Sequence, residues 1–350
     1  MMIELRTGCR LHFGLAELSP GQPNRYAGLG VMLNSPSMHL RITWDAAVPD
    51  ITLVEEIDAA SQQEYQQRIQ SWQRANNDTH VELLSGYPFH SGLGAGTQLA
   101  CLLAVARQLR TVSASTVPSS LPWSDARGSQ TSGTGWMQVR DVLANVSTQD
   151  LAGLAQRGLR SAIGLQGFFS GGLILDQGYE GSDLGSIRRE VSAEAGNLPE
   201  CWRFVLIRGT TNSAITGALE SNMIGEMASN PHAHRSRMLE LAKLALAAAR
   251  NAEFQIFCDA MDEYMQYAGD MFAPIQGGRY NGAVCSQAVA VAKQCGLKAV
   301  GQSSWGPTIF GISSDPDQAG QVAQRIRAQA SNWQVQIAVS SQGGAEVRFQ

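Results

Sequence analysis

The chain has 350 residues, a net charge of -4 and only 16% charged side chains, and its 26 basic residues divide into 23 Arg and 3 Lys. The lysines (Lys243, Lys293 and Lys298) all lie in the last third. That excludes a Walker-A loop, leaves few Schiff-base candidates and rules out a Lys-rich nucleic-acid stripe. Anions must be met by guanidinium groups, whose planar forks match phosphate and carboxylate.

The elements follow in chain order. Strands are predicted at 3–5, 12–18 and 31–33. Residues 37–44 alternate apolar and polar, as a half-buried strand does. A polar helix is expected over 64–75 and a short strand over 81–84. An apolar helix follows over 98–109. Residues 111–135 turn to Ser, Thr, Pro and Gly, which predicts a flexible insertion or a lid. Helices are expected over 136–145 and 150–159, then a strand entered by Gly171 and Gly172. A second unit begins near Ala195. It has a strand at 203–208, helices at 218–228, 234–250, 253–269 and 283–295, and strands at 299–300 and 308–312. A helix at 316–330 and strands at 334–339 and 345–349 close the chain. The expected fold is α+β, with domains over 1–195 and 196–350, the second a split βαβ sandwich.

The N-terminus lacks the basic-then-apolar layout of a signal peptide, and no apolar run is long enough to span a membrane. Six scattered cysteines without CxxC spacing fit a reducing, cytoplasmic setting. His232 and His234 are the one close histidine pair, and they read as a helix start rather than a metal site.

Glycine segments carry the chemistry. Ser91-Gly92-Leu93-Gly94-Ala95-Gly96-Thr97-Gln98 runs from a short strand into the apolar helix. Such a turn exposes successive N–H groups at a helix N-terminus, an arrangement suited to phosphate. Gly301-Gln302-Ser303-Ser304-Trp305-Gly306 sets polar side chains beside an aromatic ring. Gln276-Gly277-Gly278-Arg279-Tyr280 adds a guanidinium and a phenol. Two further segments are Arg10 to Gly14, with His12, and Arg25-Tyr26-Ala27-Gly28. Arg160-Ser161-Ala162-Ile163-Gly164-Leu165-Gln166-Gly167 completes the set of glycine loops, and convergence on one anionic-ligand cleft is expected.

Residues 88–100 resemble the second motif of the GHMP kinase superfamily. The segments at 10–14, 25–31, 90–98, 160–165, 276–280 and 301–308 together resemble β-ribofuranosylaminobenzene 5'-phosphate synthases. The resemblance implies a GHMP-kinase-like fold, with a ribosomal protein S5 domain 2-like N-terminal half and a ferredoxin-like C-terminal half. It implies a decarboxylating pentosyltransferase of tetrahydromethanopterin biosynthesis. Phosphoribosyl pyrophosphate and 4-aminobenzoate or 4-hydroxybenzoate give a C-riboside 5'-phosphate, carbon dioxide and pyrophosphate. Mg²⁺ is expected with the pyrophosphate; PLP, NAD and ATP are not. Neither nucleic acid nor membrane is an expected partner, and a homodimer is an allowed assembly.

On this reading Gly92, Gly94, Gly96 and Thr97 hold phosphate, and Arg25, Arg160 and Arg279 clamp anions. His12 and Tyr26 position the aromatic ring or take a proton near it. Gln302, Ser303, Ser304 and Trp305 bind ring or ribose. Arg10, Ser91, Gln98, Ser161, Gln276 and Tyr280 are further candidate contacts. The alternatives are an ATP-dependent kinase and a non-catalytic binder of a phosphometabolite. Superfamily kinases commonly place an Asp shortly before the Gly-Gly strand. Here the segment between Asp150 and Asp176 has no Asp or Glu, which disfavours the kinase.

Overall fold

The computed structural model describes residues 1–18, 25–45, 50–54, 56–76, 78–115, 135–158, 160–178, 193–209 and 233–350. Residues 116–134 of the insertion or lid expected over 111–135, and the helix expected at 218–228, lie outside these residues, while 111–115 end a helix.

Strand β1 (Met2–Leu15) sorts its side chains by simple alternation. Ile3, Leu5, Cys9, Leu11 and Phe13 are buried in the core. Arg10, His12 and Gly14 therefore share the opposite face, with roughly 6.6 Å between successive positions. β1 pairs with β2 (Gly28–Trp44), a long strand whose two ends have different neighbours. The later end pairs with β4 (Thr79–Ser85), which also carries β3 (Ile51–Leu53). The earlier end pairs with β6 (Leu173–Asp176), which carries β7 (Ala193–Gly196).

Four helices lie among these strands in sequence: α1 (Ala59–Gln73), α2 (Ala95–Ser115), α4 (Thr148–Ala155) and α5 (Ile163–Ser170). The segment expected as a helix over 136–145 is instead β5 (Met137–Gln138) and one turn, α3 (Val139–Val142). α5 replaces an expected glycine loop. Its glycines serve close approach, not a turn. A Cβ on Gly167 would lie 2.4 Å from Met32 Cγ, and one on Gly164 would lie 3.2 Å from Thr97 Cγ2. Asp150 caps α4 in a reciprocal pair with Ser147.

The second sheet contains β8 (Arg203–Arg208), β9 (Lys298–Gln302), β10 (Thr308–Ser313) and β11 (Gln334–Ala338), all antiparallel. Its spatial order is β11-β8-β10-β9. In chain order that is fourth, first, third, second, the arrangement of a split βαβ sandwich. Helices α6 (Arg235–Arg250), α7 (Phe254–Gln276) and α8 (Gly282–Gln294) connect β8 to β9, and α9 (Pro316–Gln329) connects β10 to β11. α9 starts where Asp315 accepts from two helix amides with Pro316 next in line.

A clean division at 195/196 does not hold. β12 (Glu346–Phe349) lies in the first sheet, antiparallel to β1. Buried Glu4 fastens it there, accepting from Arg348 at 2.7 Å as well as from Arg41 and His39. The halves also meet where Phe13 packs on Phe310, at 5.1 Å between centroids. Tyr264 of α7 donates to the Gly14 carbonyl at 2.8 Å.

Candidate active site

The polar face of β1 opens into a cleft of about 410 Å³. Arg10, His12 and Gly14 form its floor, and Leu15, Phe272 and Trp305 an apolar wall. Phe272 and Trp305 meet edge to face at 4.4 Å. Arg157, Arg160, Ser161 and Thr97 complete the lining, with Gln156, Gly158 and Ser304. Among the described residues no Asp or Glu lines it. The cleft is cationic at one end and aromatic at the other.

The glycine segments build the cationic end. Gly92 and Gly94 both have positive φ, at +86° and +81°. A Cβ on Gly92 would lie 2.4 Å from the Ser303 carbonyl oxygen, and one on Gly306 would lie 2.2 Å from Gly92 N. The two loops are therefore docked backbone to backbone, which only glycine allows. Ser303 seals the junction: its hydroxyl donates to the Gly92 carbonyl at 2.7 Å and accepts from His12 N at 3.0 Å. α2 then starts at Ala95; the Gly94 carbonyl accepts from Thr97 N at 3.0 Å and Gln98 N at 3.1 Å, and the amides of Ala95 and Gly96 have no carbonyl of their own helix to bond.

α5 brings a second helix N-terminus to the same place. Gln98 of α2 donates to the Gly164 carbonyl at 3.0 Å. Asp176, fully buried on β6, accepts from Ala162 N at 2.7 Å and so fixes the turn that carries Arg160 and Ser161. Arg157 donates to the Gly96 carbonyl at 3.4 Å. Burial and the like charge of Arg68 pull its pKa below the usual arginine value, but a guanidinium remains charged at neutral pH.

His12 is neutral. Burial and the charge of Arg10 hold its pKa well below the ordinary histidine value. Gly14 N donates to Nδ1 at 3.2 Å, so the ring proton is on Nε2, which lies 3.1 Å from Ser161 Oγ. The imidazole is thus a donor into the cleft, not a free base.

A family model described as GHMP kinases C terminal matches residues 233–332. Over 344 residues the chain is 22% identical to a β-ribofuranosylphenol 5'-phosphate synthase from Methanothermobacter thermautotrophicus, covering 93% of this chain and 94% of that protein. A protein of the same name from Archaeoglobus fulgidus is 25% identical over 341 residues, covering 93% and 92%. Among solved structures, homoserine kinase from Cytophaga hutchinsonii superposes with a TM-score of 0.55 at 14% identity, over 99% and 97% of the two chains. The chain has the GHMP kinase fold. By sequence it is similar to the β-ribofuranosylphenol 5'-phosphate synthases.

Within this fold, the expected residues divide by position. Arg10, His12, Thr97, Arg160, Ser161, Ser304 and Trp305 line the cleft. Gln276, Arg279, Tyr280 and Gln302 line a small adjoining pocket that shares Gly14, Phe272, Ser304 and Trp305 with it. There Arg279 is held by Asp270 in a two-point ion pair, at 2.8 and 3.0 Å. Gln276 donates to the Arg279 carbonyl, and Gln302 bridges Asn281 N and the Ser304 carbonyl. The expected anion clamp at Arg279 thus already has its anion.

Other expected contacts lie behind the lining. Gln98 is fully buried, spanning Thr7 and Gly164. Ser91 donates to the Pro88 carbonyl, and Ser303 joins the two loops. Gly96 faces Phe89 and Arg68 on the far side of α2. Arg25 and Tyr26 are buried beneath the aromatic wall. Arg25 lies over the Tyr26 ring, and Tyr26 packs with Trp305 and Leu15.

Several residues of the site were not singled out from sequence, among them Arg157, Leu15, Phe272 and Asp176. Arg157 had a signal, since it precedes Arg160 by three residues across Gly158. Leu15 and Phe272 read as ordinary core positions of a strand and a helix. Asp176 looked like a strand end, and only the fold shows it holding the Ser161 turn.

Proposed function

We propose that this chain catalyses the decarboxylating C-ribosylation of 4-hydroxybenzoate by phosphoribosyl pyrophosphate, as an enzyme of tetrahydromethanopterin biosynthesis. Similarity to the two synthases over almost the whole chain supports the reaction class. Their printed names carry a phenol, which favours the hydroxy acceptor over 4-aminobenzoate. The observation that carries the reading is the cleft itself, whose lining joins three guanidinium groups, Thr97 of α2 and Ser161 of the turn before α5 to an aromatic wall.

Each end suits one substrate. Pyrophosphate takes the end with Arg10, Arg157, Arg160 and the start of α2, where donors are already aimed at developing charge. The benzoate ring takes the wall of Leu15, Phe272 and Trp305. The sugar carbon is then held between leaving group and acceptor, so alignment supplies much of the rate. The bond from ribose carbon to pyrophosphate oxygen breaks, and its electron pair leaves with the oxygen. The carboxylated ring carbon bonds to the sugar carbon. The ring–carboxylate bond then breaks, its electron pair restores aromaticity, and carbon dioxide departs. No base is required, in agreement with a His12 that carries its proton on Nε2.

The kinase alternative fits less well, because among the described residues no carboxylate lines the cleft to orient an attacking hydroxyl. The same lack bears on Mg²⁺. Among the described residues no three His, Cys, Asp or Glu side chains gather to hold a metal. These residues do not fit a protein-held Mg²⁺, and we assign its coordination to the pyrophosphate oxygens.

The two-ended placement predicts separable effects. Arg157→Met and Arg160→Met should each raise KM for phosphoribosyl pyrophosphate about tenfold, with KM for 4-hydroxybenzoate changed less than about threefold. Steady-state kinetics with each substrate varied in turn measures this. Equal rises in both constants would contradict the placement.

A further inference from the structure

Ser161 has no obvious partner for its own proton, and its surroundings explain why. The Nδ1 atom of His12 accepts from Gly14 N, so Nε2 holds the ring proton and donates to Ser161 Oγ. Ile163 N donates to the same oxygen at 3.3 Å. A hydroxyl has two acceptor positions and one proton. Both acceptor positions are filled, so Ser161 interacts further only as a donor. No acceptor among the described residues takes that proton, and Ser161 lines the cleft.

Its location narrows what it donates to. Ser161 lies two residues before α5, whose first turn abuts the cationic end. A Cβ on Gly164 would lie 3.2 Å from Thr97 Cγ2 and 3.7 Å from Arg10 Nε. His12, which orients Ser161, stands on β1 between Arg10 at the cationic end and Gly14 beside the aromatic wall. Its carbonyl accepts from Ser304 N at 2.9 Å, next to Trp305. Ser161 is therefore at the border of the two ends, where the sugar–pyrophosphate bond must cross.

We propose that Ser161 is a catalytic residue that donates a hydrogen bond to the oxygen leaving with pyrophosphate, and that His12 is the positioning residue that keeps Ser161 a donor. This rests on the synthase reading above. As the carbon–oxygen bond breaks, its electron pair moves onto that oxygen and the hydrogen bond from Ser161 strengthens. The proton stays on the serine, and pyrophosphate departs as the anion. The contact is stronger in the transition state than in the bound substrate, so it acts on kcat.

The test uses full-length wild type, Ser161→Ala, Ser161→Thr, His12→Phe and the Ser161→Ala/His12→Phe double variant. Steady-state release of carbon dioxide gives kcat and both KM values, and calorimetry gives pyrophosphate affinity. Ser161→Ala should lower kcat about 100-fold with both KM values within about threefold, and should weaken pyrophosphate binding about tenfold. Ser161→Thr, which keeps the hydroxyl, should recover most of kcat. The double variant should be no slower than Ser161→Ala alone, because His12 acts through the serine. A Ser161→Ala enzyme with wild-type kcat, or one altered in KM alone, overturns the assignment. Multiplying effects in the double variant overturn the role given to His12. A wild type that releases no carbon dioxide overturns the synthase reading, an outcome distinct from an active wild type matched by Ser161→Ala.

Discussion

His12 shows how neighbours determine what a side chain can do. Seen alone it suggests a base, but burial and Arg10 keep it neutral, and the Gly14 amide settles which nitrogen holds the proton. Its depressed pKa also ties stability to pH. Below the ordinary value of 6.5 the unfolded chain protonates this histidine and the folded chain does not. Stability from His12 is therefore complete above that pH and declines as pH falls below it, by at most about 1.4 kcal/mol per pH unit. Urea midpoints at about pH 7.5 and about pH 5.5 should fall further apart in wild type than in His12→Phe. An identical pH dependence in both proteins would mean that folding leaves the His12 pKa unshifted. The residue type and its place beside Arg10 were legible in the sequence. The tautomer was not, because it depends on contacts with Gly14 and with Ser161, 149 positions away.

At the scale of elements, the glycine loops illustrate two different uses of one residue. Gly94 has a positive φ, and a Cβ there would lie 2.7 Å from Arg10 Cγ, a movable side chain. Gly306 instead touches the backbone of Gly92, which has nowhere to go. Gly94→Ala should therefore cost about 1 kcal/mol in stability, mostly from the strained torsion, while pushing Arg10 off its position and lowering activity at least about tenfold. Gly306→Ala should cost about 3 kcal/mol, because two loops must separate. Thermal melts with parallel assays test the order, and it fails if Gly94→Ala is the less stable variant. Alternation made the 37–44 part of β2 readable, only part of the 14-residue β1 was expected as a strand, and the strand order of the second sheet followed from its chain order. α5 was hidden because Gly164 and Gly167 read as turn residues. Glycine inside a helix is unfavourable by about 1 kcal/mol relative to alanine, and here close packing against Thr97 and Met32 offsets it.

Across the whole molecule, the cleft draws on segments from nearly every part of the chain. β1, the start of α2, the α4–α5 turn, the end of α7 and the β9–β10 loop all contribute lining residues. This explains why scattered glycine segments pointed to a site before any contact was known. It also explains why a division at 195/196 was too simple: β12 returns to β1, and Tyr264 of α7 braces Gly14 from the other half. The excess of arginine over lysine has become local. Arg10, Arg157 and Arg160 serve the cleft, whereas Arg279 is tied to Asp270 and Arg25 lies beneath the aromatic wall. Those distinctions depend on burial and pairing, which composition does not contain. The most direct measurement supplies the purified protein with phosphoribosyl pyrophosphate, Mg²⁺ and carboxyl-labelled 4-hydroxybenzoate, and follows labelled carbon dioxide. Release that requires the sugar donor, with pyrophosphate formed in equal amount and no dependence on ATP, is the predicted result. No release, or consumption of ATP with a small alcohol in its place, would contradict the account.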